Sequence, residues 1–278
     1  RFIHSSDLHL GRTPGRFDAE TAGVLTEARA TALDRLTALA RETGATAVLL
    51  AGDTFDQATP APRVIRQACR AMARADDLDW VMMPGNHDAL AAEPLWDAVR
   101  AACPDNVHLA LTPEPVMLDE AVVLPAPVTR SAPGRDLAAW MNAAEATFGL
   151  ETSLPRIGLA HGPVASFGSS EGADVIAPDR AARAGLDYLA LGDWHGVREV
   201  DTRTWYSGTP EPDSFKHGVP GRALLVDAPK RGAKVTVTPH DVGRFVWCAP
   251  DLTLRPGDDP AAELARILPE DVVRDATL

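Results

Sequence analysis

The sequence predicts an α/β protein built on a mainly parallel sheet with helices on its faces. Three observations predict it. Over the first two hundred residues short apolar runs alternate with helical patterns, as β-α units do. Five of those runs end in junctions rich in Asp, His and Asn, and open α/β sheets place ligands beyond the carboxyl ends of their strands. With 278 residues, 45% of them apolar and 24% charged, the chain has ordinary globular composition and suffices for one large domain, or one plus a small appendage.

Taken in order, "RFIHSS" reads as the first strand. Residues 20–42 carry Leu25, Leu33, Leu36 and Leu39 at mixed three- and four-residue steps, the spacing of one amphipathic helix ending near Gly44. "ATAVLLAGD" is a second strand, and residues 62–75 a second helix with Pro62 at its start, where proline is tolerated. "LDWVMMPGNHD" is a third strand running into a turn, and residues 93–102 form a short helix. "NVHLA" and "AVVLPAP" supply further strands before a helix over 136–147. "RIGLAHG" is a strand ending in His and Gly, followed by a polar loop over 162–177, a helix near 178–184 and the strand "LDYLALGDWHG".

From about residue 203 the style changes. "TWYSG", "RALLVD", "KVTVTP" and "RFVWCAP" read as short antiparallel finishing strands, and "PGDDPAAELARILPEDVV" as a linker and a short helix. No internal repeat or low-complexity segment is present.

The bulk numbers exclude some classes. No run of about 18 apolar residues, the length that could span a membrane, is present, and the chain opens on a strand with no signal-peptide pattern, so a cytoplasmic setting is expected. Cys69, Cys103 and Cys248 are odd in number, far apart and without a C-x-x-C; a disulfide framework or thiolate zinc site is not expected, and a reducing compartment fits. The net charge of −12 argues against a surface coated for nucleic acid, leaves room for a local basic cleft, and fits a cation site whose carboxylates are counted without their metal.

The five junctions are "SSDLHLG" (Asp7, His9), "AGDTFD" (Asp53, Asp56), "PGNHD" (Asn86, His87, Asp88), "LAHG" (His161) and "GDWHG" (Asp193, His195). Singly each is weak, since an Asp after a strand is more often a cap than a ligand. Together they place imidazole, carboxylate and amide donors at strand ends. Asp7 and His9, like Asp193 and His195, are two apart, so in an extended strand both side chains of each pair would share one side. Nitrogen and oxygen donors without thiolate suit Mn²⁺, Fe or Zn²⁺. His4, His108, His217 and His240 read as structural or surface histidines.

In this order, D-x-H, G-D, G-N-H-D, H-G and G-x-x-H, the blocks resemble the calcineurin-like metallophosphoesterases. The wording "IHSSDLHLG", "AGDTFD", "GLDYLALGDWHG" and "YSGTPEP" is most similar to their SbcD-type DNA-repair nuclease branch, over about residues 1–215. The resemblance implies a four-layer sandwich of two facing mixed β-sheets flanked by helices, with two divalent metals, Mn foremost, between strand ends. It divides the chain into a catalytic domain over 1–217 and, over 218–278, finishing strands with a small C-terminal β/α extension, where SbcD-type proteins carry a DNA-contacting cap and an ATPase-docking segment. "FVWCAPDLTL" and the helix after it would root such a cap.

By position, the resemblance implies that Asp7, His9 and His195 hold the first metal, that Asp53 bridges, and that Asn86 and His161 hold the second. His87 would stand beside the metals without coordinating, with Asp88 orienting its ring. Where the repair nucleases have histidine this chain has Asp193, expected to complete the second site as an oxygen ligand or else to hydrogen-bond a neighbouring histidine. Two metals would acidify a bridging water to hydroxide and steady the transition state, while His87 protonates the leaving group, imidazole titrating near pH ~6.5. Arg12 and Arg16 would either contact phosphates or merely be solvated, and the loop with Phe167 would line the cleft or merely connect. The expected function is a Mn-dependent DNA phosphodiesterase, partnered by an SbcC-type coiled-coil ATPase or by a second copy of the chain. The alternatives are a phosphodiesterase or phosphatase for a small phosphoester, and a catalytically weak binding module.

Overall fold

The computed structural model describes residues 1–130, 133–150, 153–165, 175–216, 218–249 and 251–267. Phe167 and His217 lie outside the described residues. The first half of the chain forms β1 (Phe2–Ser5), α1 (Ala19–Ala30), α2 (Ala32–Thr43), β2 (Ala47–Ala51), α3 (Pro62–Ala73), β3 (Asp79–Met83), α4 (Glu93–Ala102), β4 (Val107–Leu109), β5 (Val116–Met117) and β6 (Val122–Ala126). A 3-10 segment, Leu137–Ala143, then leads into α5 (Ala144–Phe148), β7 (Arg156–His161), α6 (Arg180–Arg183), β8 (Tyr188–Gly192), β9 (Arg198–Asp201), β10 (Thr204–Tyr206), β11 (Arg222–Asp227), β12 (Thr236–Asp241) and α7 (Pro260–Ile267).

These strands make two six-stranded mixed sheets, in the orders β12-β11-β1-β2-β3-β4 and β5-β6-β7-β8-β10-β9. In the first, β1 to β4 run parallel and β11 joins β1 antiparallel, Ile3 opposite Leu225. In the second, β6, β7, β8 and β10 run parallel, with β5 and β9 antiparallel at the edges. Strand parity sorts the core into layers. Val48 and Leu50 of β2 pack with Leu36, Ile65 and Val99 of α2, α3 and α4. Leu49 of the same strand faces Leu159 and Tyr188 of the other sheet. On the far side Leu189 and Leu191 of β8 meet Met141 of the 3-10 segment and Ala181 of α6. The result is a four-layer α/β sandwich. Both faces of each central strand are covered, so those strands carry unbroken apolar sequence.

Several details depart from expectation. The helix read over 20–42 is two helices, broken at Thr31, whose hydroxyl donates to the Glu27 and Ala28 carbonyls at 3.1 Å each while the Arg35 guanidinium takes the Ala28 carbonyl at 2.8 Å. Side chains thus satisfy the carbonyls that the next helical turn would have used. The break lets α1 bury Arg29. The helix read over 136–147 is 3-10 for most of its length, and "RFVWCAP" forms no strand among its described residues. There Trp247 packs instead against Phe17 and Phe215, ring centroids 5.4 and 5.2 Å away. β5 and β9, unforeseen, are short edge strands. β11 and β12 are part of the first sheet, while α7 buries none of its residues. No described helix is long and apolar enough to cross a membrane.

His4 pins the sheets together. Its Nε2–H donates to the Leu191 carbonyl of β8 at 3.2 Å, and the Tyr188 hydroxyl donates to its Nδ1 at 2.9 Å. Burial drives its pKa down from 6.5 to about 3, against the smaller upward pull of the Leu191 carbonyl. The folded state therefore keeps His4 neutral where the unfolded chain takes up a proton, and stability falls as pH drops through 6.5 and levels off near 3. Denaturant titrations of wild type and His4→Asn across that range should show a steeper pH slope for wild type; parallel slopes would refute this account.

Candidate metal centre

The five junctions meet at one end of the sandwich, beyond β1, β2 and β3 of one sheet and β7 and β8 of the other. The chain does not reach that point in extended form. Asp7, His9, Asp53 and Asp193 have φ of 53°, 46°, 52° and 100°, the only positive values among described non-glycine residues. This left-handed region costs an L-residue roughly 1–2 kcal/mol, and such strain clusters at functional sites. The pairs 7/9 and 193/195 therefore do not follow strand alternation. Backbone bonds hold the turns: Asp7 N–H donates to the Gly52 carbonyl (3.1 Å), His9 N–H to Asp53 (3.0 Å) and Leu10 N–H to Thr54 (2.9 Å), lacing the first two loops together.

Two glycines permit the crowding. A Cβ on Gly85 would collide with the carboxylate and amide of Asp53, and one on Gly192 would meet the Ala51 carbonyl and, at 2.7 Å, His161 Nδ1. Neither obstacle is the end of a flexible chain, so neither position accepts a side chain without displacing a donor.

The donors form two overlapping groups. In the first, His9 Nε2 lies 3.3 Å from His195 Nε2 and 3.9 Å from Asp53 Oδ2, and His195 Nε2 lies 3.8 Å from Asp7 Oδ1. In the second, His161 Nε2 lies 2.7 Å from Asn86 Oδ1, 3.5 Å from Asp53 Oδ2 and 3.9 Å from Asp193 Oδ1. Asp53 belongs to both. Asp7 with His9 and His195, and Asp7 with Asp53 and His161, each present one donor atom apiece within 4.8 Å of one another. Asp7, His9, Asp53 and His161 are buried, whereas the Asp193 side chain is 38% exposed.

The outer ring nitrogens are already engaged. His161 Nδ1–H donates to the Ala51 carbonyl at 2.8 Å, and His195 Nδ1–H to Asp213 Oδ2 at 3.0 Å. Both rings thereby turn the Nε2 lone pair inward, as a metal-binding imidazole must. His9 Nδ1 faces Asp56 Oδ1 at 3.3 Å. Nε2 atoms, carboxylate oxygens and an amide oxygen thus confront one another with no donor among them in the neutral state. That set fits divalent cations with mixed nitrogen and oxygen preference.

The electrostatics agree. Burial opposes charge on His161, yet Asp53, by charge and hydrogen bond, with Asp7 and Asp193, raises it to about 10. Burial would raise Asp53, but His161, His9 and the His87 amide bring it down to about 2. On His195 burial is outweighed by Asp213 and Asp7, and its pKa rises. Asp193 is raised by burial and by the charges of Asp7 and Asp53, against the pull of His161. Without metal, a proton on His161 supplies positive charge that the carboxylates demand.

His87 stands at the open side, its ring 4.6 Å from that of His9. Its N–H donates to Asp53 Oδ1 and its Nδ1–H to the Asp56 carbonyl, both at 2.8 Å. Asp88, expected to orient that ring, instead accepts from the amides of Gly85 (2.6 Å) and Phe55 (3.0 Å). Its carboxylate shapes the two loops, because it is fully buried and both of its oxygens are taken by their backbone amides; burial and Asp53 push its pKa up to about 7. Arg12 is paired with Asp213 at 2.7 Å, and the Arg16 guanidinium lies over Phe17, Phe215 and Trp247 at 5.2–5.4 Å.

Sequence reasoning missed Asp213 and the bracing roles of Asp56, Ser6 and Arg29. Ser6 Oγ donates to Asp7 Oδ2 at 2.5 Å, and Thr209 Oγ1 to the Asp7 carbonyl at 2.9 Å. Buried Arg29 joins the Leu8 carbonyl to those of Glu211 and Pro212. "YSGTPEPD" is thus the brace of the first motif, a role that nothing local in it announces.

Comparison with known proteins gives the same picture. No curated protein matches the chain. Among solved structures it is similar to the crystal structure of TT1561 of Thermus thermophilus, at 16% identity and a TM-score of 0.51, covering 87% of this chain and 98% of that one; at that identity the likeness concerns the fold. Residues 1–197 match the calcineurin-like phosphoesterases, and the chain belongs to that family.

Proposed function

We propose that this phosphoesterase is a Mn²⁺-dependent DNA phosphodiesterase of the SbcD type. One observation carries the hydrolase reading: donors from five strand ends converge around Asp53, and the backbone amide of His87 is fixed on the same carboxylate. In the proposed assignment Asp7, His9 and His195 would hold one cation and Asn86, His161 and Asp193 the other, with Asp53 contributing to each. When bound, two such ions supply Lewis acidity to phosphoryl oxygens and lower the pKa of water.

The chain's own residues do the rest. With Nδ1–H committed to the Asp56 carbonyl, the Nε2 of His87 is its one exchangeable position; protonated, it donates to the leaving oxygen. Asp56 sets that tautomer and also faces His9, so one residue positions both rings. Asp213 holds His195 in place.

A nucleic-acid substrate is supported by the wording of the motifs and by cations at the rim. Lys216 Nζ lies 4.4 Å and Arg198 Cζ 5.6 Å from the ring of Trp194, the residue between Asp193 and His195, and Arg16 lies across the neighbouring aromatic group. Such cation-on-aromatic surfaces suit single strands. The pairing of Arg12 with Asp213 favours the second reading, a small phosphoester, because it withdraws one cation from phosphate. An SbcC-type ATPase and a second copy of the chain remain the proposed partners.

With Mn²⁺, linear single- and double-stranded DNA should be degraded; turnover of bis-p-nitrophenyl phosphate or cyclic nucleotides alone would select the small-ester reading, and silence with all of them a binding module. His87→Ala should lower turnover about 10²–10⁴-fold with metal content unchanged, and a loss of only a few-fold on a poor leaving group would remove His87 from that role. Metal analysis of Asp193→Ala should find about one ion fewer per chain. Asp213→Asn should keep both ions at saturating metal but bind them about 10–100-fold more weakly. Full occupancy and affinity in either variant would overturn the corresponding assignment.

A further inference from the structure

Cys69 and Cys103, 34 positions apart, meet with their Sγ atoms 3.0 Å from each other. Cys69 lies on α3, 2% exposed within the core between the helices and the first sheet; Cys103 ends α4 and is partly exposed. The third cysteine, Cys248, is exposed.

The backbone around the pair is fixed from both sides. Asn106, three residues after Cys103, donates through Nδ2 to the carbonyls of Met72 (3.2 Å), Ala75 (2.9 Å) and Leu78 (2.9 Å), at and just beyond the end of α3. The Trp80 amide in turn donates to the Asn106 carbonyl at 2.8 Å. A disulfide needs its sulfurs about 2.05 Å apart, a closure of roughly 1 Å from the observed separation. α3 follows the loop of Asp53 and Asp56, and α4 the turn of Asn86, His87 and Asp88. The ring closed between the two sulfurs would contain β3 and that whole turn.

We propose that Cys69 and Cys103 form a reversible disulfide that locks α3 to α4 behind the Asn86–Asp88 turn. Hydrogen peroxide serves as the two-electron oxidant. One sulfur of the pair, as thiolate, attacks one peroxide oxygen; the O–O bond breaks, water leaves, and a sulfenic acid forms. The other sulfur then attacks that sulfenic sulfur and expels the second water. Two thiols and one peroxide thus yield one disulfide and two waters, and a dithiol reverses the exchange. The inference does not depend on the substrate.

The test uses the metal-loaded full chain carrying Cys248→Ser, treated with equimolar hydrogen peroxide. Free thiols should fall from two to none, peptide mapping without reductant should join the Cys69 and Cys103 peptides, and dithiothreitol should restore both thiols. Tm should rise by about 5 °C on oxidation, with no rise when Cys103→Ser is added. Persistence of both thiols, Cys103 trapped as sulfinic acid, or an unchanged Tm in the cross-linked chain would overturn the proposal. Mapping requires only the Cys248→Ser background, so the cross-link is read even if a core cysteine variant fails to fold.

Discussion

The structure is organised around the difficulty of gathering negative charge inside a protein. Asp7, Asp53 and Asp88 are all buried, and an uncompensated buried ion costs several kcal/mol. Each is compensated differently. Asp88 takes two backbone amides and stabilises the loops. Asp7 accepts the Ser6 hydroxyl and the Asp193 amide. Asp53 takes the His87 amide on one oxygen and turns the other toward His9 and His161, so half of its demand is left to whatever cation the imidazoles also face.

That demand explains where the strain is placed. Among the described residues, the left-handed turns at non-glycine residues coincide with Asp7, His9, Asp53 and Asp193, all just beyond strand ends. A strand can aim only alternate side chains at a point; a left-handed residue at the strand's exit re-aims its own side chain and leaves its carbonyl free to bond the next loop, as Asp53 does with the His9 amide. The cost is small beside the strength of a metal site, and the buried sandwich behind it makes it bearable.

What was legible in the sequence follows from the range of the forces involved. The central strands were plain because both faces are buried, and α2 ends one residue before Gly44, where a local signal stops it. Donors at strand exits were legible because parallel sheets put their carboxyl ends together. The break at Thr31 was not, since Arg35 creates it through partners that a periodicity count ignores. Asp213 reads as one acid in a proline-rich turn, and only the fold carries it to His195. The "RFVWCAP" segment has strand-like composition, yet Trp247 finds its burial against Phe17 and Phe215, so packing overrides propensity there. Cys69 and Cys103 looked unrelated for the same reason: helix pairing, not spacing, unites them.

The overall charge has to be judged in the same local terms. A chain at −12 looks hostile to a polyanion, but that figure counts Asp7, Asp53 and Asp193 as bare. Bound divalent ions would offset much of that charge, so a loaded centre would be far less negative than an empty one. Arg198 and Lys216 lie over the ring of Trp194, the residue between Asp193 and His195, which holds their charge beside those two. At the Debye length of about 8 Å in physiological salt, a charged group approaching the open side of His87 responds mainly to the charges nearest it, and the acids on the far faces of the sandwich are largely screened from it.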